Sequence, residues 1–251
     1  MPRASDPIVE FRGVSKSYVL HGPPLGLKHT LLHLKAVVRE ARSRPAFTAL
    51  DGIDFTVERG ECFGVFGPNG SGKSTLLALA AGALRPTRGE VIVRGHVCPL
   101  LETGAGFHGD LTGRENALLN GMILGLSRRQ ARERLEGIRA FADIGSFFDE
   151  PLRTWSAGMV ARLGFGVAVH TEPDVLLVDE VLAVGDEAFQ ERCLHHIDAL
   201  RRRGTTLLIV SHDSRLLARH CNRVLRLRGG KVEALGPPDE AWHPSFAAAD
   251  G

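Results

Sequence analysis

Cysteine, lysine and tyrosine are scarce in this chain: of 251 residues, four are Cys, five Lys and one Tyr. Cys62, Cys98, Cys193 and Cys221 are widely spaced and form no Cys-x-x-Cys pair. Reduced, mostly buried thiols of a cytosolic protein are therefore expected. Long apolar runs are absent as well. The longest, Leu76 to Leu84, is half of the roughly 18 residues that cross a bilayer. The opening MPRASDP has no apolar stretch, so no secretory leader is expected. Net charge is only +2, too weak a field to imply a polyanionic partner, and no nucleic-acid binding is anticipated. Neither repeats nor low-complexity linkers occur. At 43% hydrophobic and 24% charged residues, the composition is that of an ordinary globular protein able to bury a core.

Residues 8–19 and 53–58 alternate like half-buried strands, and 61–67 is a short strand running into a glycine-rich turn. KSTLLALAAGAL is helical in composition, and 89–95 again reads as a strand. From 103 to 170 the character is helical. Thr112 with Glu115 and Ser127 with Gln130 have capping-box spacing. Strand patterns return at 174–180, 205–213 and 223–230. The segment between the first two ends Arg201-Arg202-Arg203-Gly204, a helix C-terminus rather than a basic patch. Apolar strands alternating with helices predict an α/β fold with a largely parallel sheet and a helical block inserted halfway.

GPNGSGKST, residues 67–75, contains Gly-x-x-x-x-Gly-Lys-Ser between a predicted strand and a predicted helix, the context in which it cradles phosphate. Gly67, Pro68, Asn69, Gly70, Ser71, Gly72, Lys73, Ser74 and Thr75 are the candidate nucleotide-binding residues. Small side chains let backbone N–H groups curl around phosphate oxygens, and the helix N-terminus adds about half a positive charge. Lys73 is suited to the β- and γ-phosphates and Ser74 to Mg²⁺. An apolar run, VLLVDE, ends on Asp179 and Glu180. Asp179 can be the second Mg²⁺ anchor and Glu180 the base for the water that attacks the γ-phosphate. His212, ending LLIVSHD, is suited to contact that phosphate.

Together with TWSAGMVARLGFG (154–166), these residues resemble the nucleotide-binding domain of an ABC transporter. The family signature is Leu-Ser-Gly-Gly-Gln followed by Arg; here it reads Trp155, Ser156, Ala157, Gly158, Met159, with Arg162 in the Arg position. The resemblance implies a P-loop NTPase (RecA-like) core with an antiparallel β-subdomain and an inserted α-helical subdomain at about 103–170, all in one domain spanning 1–251. It implies ATP and Mg²⁺ as ligands and a head-to-tail homodimer in which Ser156 meets the γ-phosphate of the opposite subunit. A separate permease and a peripheral place on the cytoplasmic face of the membrane follow from the same resemblance. Asp186 falls in the D-loop and would cross the dimer interface. Glu102 occupies the Q-loop position, where it can still bind Mg²⁺. Tyr18 stands where the adenine-stacking aromatic belongs.

GAGFHGDLTGREN, WSAGM and DEVLAVGDEAFQ are similar to the ATP-binding subunits of exporters of O-antigen, capsule or teichoic acid. An ATPase of nucleic-acid maintenance or translation would bring a coiled-coil insert, a zinc site or two ATPase units; a non-hydrolysing regulator would lack Glu180 or Ser156. The sequence shows neither pattern. Some exporters in this group carry a C-terminal carbohydrate-binding domain, which is not expected here. Residues 20–46 are extra. Leu27, Leu31, Leu34 and Val38 recur at helical spacing amid Lys28, Lys35, Arg39, Arg42 and Arg44. This basic amphipathic element can face the permease or anionic headgroups, or pack as a solvated helix on the β-subdomain. His29 and His33 lack further metal ligands beside them.

Overall fold

The computed structural model describes residues 6–19, 46–100, 106–179 and 186–241. Strands β1 (Val9–Val19), β2 (Ala46–Val57) and β4 (Arg88–Val93) form an antiparallel sheet in the order β2-β1-β4. Strands β3 (Cys62–Phe66), β5 (Val97–Leu100), β6 (Val175–Asp179), β7 (Thr206–Ser211), β8 (Arg223–Arg228) and β9 (Lys231–Gly236) form a second sheet, ordered β5-β6-β7-β3-β8-β9. Its first five members are parallel, and β9 returns antiparallel beside β8.

Strands β6 and β7 are apolar almost throughout because both faces of the parallel sheet are covered. Val175, Leu177, Leu208 and Val210 point into one core with Phe63, Val65 and the antiparallel sheet. Their neighbours Leu176, Val178, Leu207 and Ile209 point into the other, with Phe165, Phe189 and Ile197. Helix α1 (Lys73–Ala80) contributes Leu76, Leu77 and Leu79 to the first core. Stacked rings of Phe11, Phe55 and Phe63, 4.5 and 5.1 Å between successive centroids, join the antiparallel sheet to β3.

In the chain between β5 and β6, α2 (Gly113–Ile123), α3 (Arg128–Ala142) and α4 (Ala157–Val169) pack around Ile138, Phe148, Trp155, Leu163 and Val167. Both expected capping boxes are formed, at Thr112 and Ser127. Gly145–Asp149 and Leu152–Thr154 are 3₁₀ turns, not α-helix, with extended Glu150 and Pro151 between them. Helices α5 (Glu187–Arg202), α6 (Ser214–His220) and α7 (Pro238–Ala241) follow.

All four cysteines are buried and free; burial pushes the Cys98 thiol up to about 11. Cys62 and Cys221, remote in sequence, bring their Sγ atoms to 3.7 Å. No helix among the described residues is long and apolar enough to cross a membrane.

Candidate active site

Strand β3 delivers Gly67 to the carboxyl edge of the parallel sheet, and six residues later α1 begins. Gly67 is obligatory because a Cβ there would lie 2.4 Å from the Leu227 carbonyl oxygen and 2.6 Å from Ser71 Oγ. Gly72 has φ +105°, and a Cβ on it would meet Ala49 O and Leu50 Cδ2, each at 2.6 Å. Pro68, Asn69 and Gly70 form the exposed rim of the loop. Its inner end is anchored by the Gly230 N–H, which donates to Ser71 O at 3.1 Å, and by the Asp51 N–H, which donates to Gly230 O at 2.8 Å. The loop is thus clamped between β2 and the β8–β9 turn.

Lys73 is buried, and its Nζ donates to Gly67 O at 2.7 Å and Pro68 O at 3.0 Å. Two of the three ammonium N–H groups therefore hold the loop's own backbone. Ser71 Oγ is buried with no hydrogen-bond partner among the described residues. Helix α1 has neither a side-chain cap nor an acidic residue in its first turn. Among the described residues no side chain caps its N–H groups or offsets its partial positive charge in the first turn, which suits a phosphate anion. Ser74 is exposed at the start of that helix and Thr75 half-buried beside it.

Asp179 ends β6 opposite Val210 of β7, which in turn lies opposite Val65 of β3. One strand separates the aspartate from the loop-bearing strand, a span of about 9–10 Å. His212 is exposed immediately after β7, the strand between them. The turn that carries it is held by Asp213, whose carboxylate accepts from the N–H groups of Arg215 and Leu216 at 2.8 and 3.2 Å. Register alone brings the loop, Asp179 and His212 to one edge. Glu180 and Glu102 lie outside the described residues.

Ser156 caps α4; its Oγ accepts from the Met159 N–H at 3.3 Å. Ser156 and Ala157 are exposed, Gly158 and Met159 half-buried. Helix α4 packs on α2, α3, α5 and β5, so this capped helix end belongs to the helical block. Asp186, expected at an interface, has both carboxylate oxygens engaged within the chain. Oδ1 caps α5 by accepting from the Phe189 N–H at 2.9 Å. Oδ2 pairs with Arg162 Nη2 at 2.6 Å, and that guanidinium lies 5.0 Å over the Phe189 ring.

Tyr18 is 37% exposed, with Lys16 Nζ 5.2 Å above its ring. Directly across the strand pair stands Phe47, 56% exposed, a second aromatic that the sequence reading passed over. An aromatic at the start of a strand facing the lone tyrosine was the available signal, but it needed the β1–β2 register. Two residues further along β2, Ala49 touches Gly72, so this aromatic edge adjoins the phosphate loop.

Comparison with known proteins places the chain in a family. Residues 50–183 match the family model described as ABC transporter. The chain is 43% identical over 232 residues to the O-antigen export system ATP-binding protein RfbB of Klebsiella pneumoniae, covering 92% of this chain and 94% of that protein. It is 42% identical to RfbB of Myxococcus xanthus, over 96% of this chain and 55% of that longer protein. The teichoic acids export ATP-binding protein TagH of Lactococcus lactis is 39% identical over 80% of this chain and 43% of its own length. Among solved structures, the ATP-binding subunit of an ABC transporter superposes with TM-score 0.76 at 21% identity, over 97% of this chain and 95% of the other. A dimeric post-hydrolysis cassette bound to ADP and Pi gives 0.71 at 22%, over 92% and 98%. The chain belongs to the ATP-binding subunits of the ABC transporter family.

Proposed function

We propose that this subunit is the ATP-hydrolysing motor of an exporter that moves a cell-surface polysaccharide or lipid-linked glycan across the cytoplasmic membrane. It works as a head-to-tail homodimer at the membrane periphery, bound to a separate permease. The observation that carries the chemistry is the shared sheet edge, where the Gly67–Gly72 loop, Asp179 and His212 converge. The glycan cargo is supported by the names of the O-antigen and teichoic-acid relatives.

The donor set fits Mg²⁺. Among the described residues no three His, Cys, Asp or Glu side chains cluster as a resident metal site. A Ser hydroxyl and one carboxylate facing a phosphate loop are the sparse oxygen ligands that Mg²⁺ accepts, since it keeps waters and phosphate oxygens. Ser74 and Asp179 would hold the ion, with Glu102 a further ligand; when bound, it neutralises charge on the phosphates. The loop N–H groups and Lys73 bind the β- and γ-phosphates, and Tyr18, with Phe47 beside it, stacks on adenine. Glu180 accepts a proton from water as its oxygen bonds to the γ-phosphorus and the bond to the ADP oxygen breaks. His212 orients the γ-phosphate. Ser156, Ala157, Gly158 and Met159 close the opposite subunit's site with N–H groups at a helix end. Asp186 borders that interface through its hold on Arg162.

Replacing Glu180 by Gln tests this reading. The variant is expected to bind ATP, lose turnover by about 100-fold or more, and accumulate as an ATP-bound dimer on sizing. Hydrolysis near the wild-type rate would remove Glu180 as the base.

A further inference from the structure

The side chain of Asn116, in the first turns of α2, is completely buried, and both its oxygen and its nitrogen bond to a single short segment. Its Oδ1 accepts from the His108 N–H at 2.7 Å. Its Nδ2 shares its two N–H groups among the carbonyls of His108, Leu111 and Thr112, each at 3.0 Å. One amide thereby folds residues 108–112 into a closed loop over the start of α2. It takes both backbone groups of His108, as a strand partner would. The outer rim of that loop is zipped to a second segment. The Arg153 N–H donates to Gly109 O at 2.9 Å and the Leu152 N–H to Leu111 O at 3.0 Å; the Gly113 N–H donates to Glu150 O at 3.3 Å. On the surface, Arg153 and Asp110 pair at 2.7 Å. Three residues beyond Arg153 stands Ser156.

We propose that Asn116 is a positioning residue for Ser156. It fixes the 108–112 loop, the loop fixes 150–153 through backbone bonds, and that segment sets where the N-terminus of α4 presents its hydroxyl and N–H groups. A buried amide with four partners is a stiff anchor, because an unmade bond there leaves backbone groups stranded away from water. Asn116 belongs to the helical block and not to the phosphate loop. Its influence is thus on the site that receives Ser156, not on nucleotide capture by its own chain. The assignment rests on the proposal that Ser156 serves the opposite subunit.

The test uses heterodimers of the full chain, isolated through two different affinity tags in complex with the membrane subunit. One partner carries Lys73→Ala, so only the other partner's phosphate loop works, faced by Ser156 of the Lys73→Ala chain. Asn116→Ala placed on the Lys73→Ala chain is expected to lower kcat for Mg-ATP about tenfold or more. Placed on the chain with the working loop, it should leave kcat within about twofold, and ATP affinity unchanged in both cases. Asp110→Arg sets like charges against Arg153 on an exposed rim without touching the core. It should show the same asymmetry more weakly, and it decides the matter should Asn116→Ala fail to fold. Equal loss in both placements, or loss in neither, overturns the role of Asn116. Ser156→Arg in the same two placements is the control. If it shows no asymmetry, the shared-site reading fails and this assignment with it. If it does while Asn116→Ala and Asp110→Arg do not, the shared site stands and the Asn116 assignment alone is wrong.

Discussion

At Gly72 two constraints coincide: a left-handed backbone, φ +105°, and backbone oxygen of Ala49 where a Cβ would go. An alanine there costs about 1–3 kcal/mol in backbone strain alone, and the Ala49 carbonyl cannot swing aside as a side-chain tip would. Gly72→Ala is therefore expected to weaken ATP binding at least tenfold by nucleotide titration, and to lower Tm. Gly70, also at positive φ but facing open space, should tolerate the same change better. A second residue-scale expectation concerns His170 and His196, whose rings lie 5.3 Å apart beside Phe141. Burial holds both imidazoles below their ordinary 6.5, and the pair's mutual repulsion further lowers His196. The folded state thus binds fewer protons than the unfolded one. Their contribution to stability is full above about pH 6.5 and is lost as pH falls through the lowered values. Tm should drop below pH 6.5, and His196→Gln should flatten that drop. An unaltered profile in the variant would show that acid sensitivity arises elsewhere.

The signature element departs from the family pattern at Trp155, and the departure has a partner in a different helix. The Trp155 ring occupies the space over Gly113, where a Cβ would lie 2.4 Å from Cη2 and 2.5 Å from Cζ2. Two of the three motifs by which the chain resembles exporter subunits, GAGFHGDLTGREN and WSAGM, thus meet in one packing contact between Gly113 and Trp155. Gly113→Ala should destabilise by about 1–3 kcal/mol through overpacking. Adding Trp155→Leu should recover the part of that loss due to the indole, while the Phe148 carbonyl oxygen, 2.9 Å from the same Cβ, still opposes the alanine. The indole Nε1 gives up no bond, being buried without a hydrogen-bond partner among the described residues. Melting of the four variants measures the coupling; additive losses would refute it. Elements were unevenly legible in the sequence. Strands β3, β6 and β7 stood out as apolar runs because they are buried on both faces. Strand β9 passed unread although Gly229 and Gly230, both at positive φ, are the turn pair that a tight hairpin demands. Strand β5 has only four residues, and the first three residues of β2, Ala46 to Thr48, are exposed, so neither stretch carries a pattern to read.

For the whole molecule, the proposed coupling to a permease is tested through the basic segment at residues 20–46, of which 20–45 lie outside the described residues. Tyr18 and Phe47, flanking it in sequence, are cross-strand neighbours, so a short turn can join their strands without disturbing either sheet. Exchange of residues 22–44 for a Gly-Ser turn should leave ATP binding within about twofold, since the loop, Asp179 and Ser156 lie elsewhere. Export in a complemented deletion strain should fall sharply. Full export by the shortened chain would sink a role for this basic segment in coupling.

What the sequence by itself determined is the ATPase family: a phosphate loop needs glycines, a lysine and a hydroxyl at fixed spacing, and an apolar run that ends in carboxylates is the partner proposed here for its Mg²⁺. Those requirements are local, so they survive in one dimension. The tertiary structure alone decided which distant groups share a contact. Register across β6, β7 and β3 put Asp179 and His212 at the loop's edge; β1–β2 pairing set Phe47 against Tyr18; and the buried Asn116 amide tied the segment at 108 to the segment at 153. Asp186 makes the same point, for its carboxylate caps its own helix and holds Arg162 within the chain. Hydrogen bonds and ring contacts between residues dozens of positions apart leave no periodicity in the chain, and only folding brings their partners within reach.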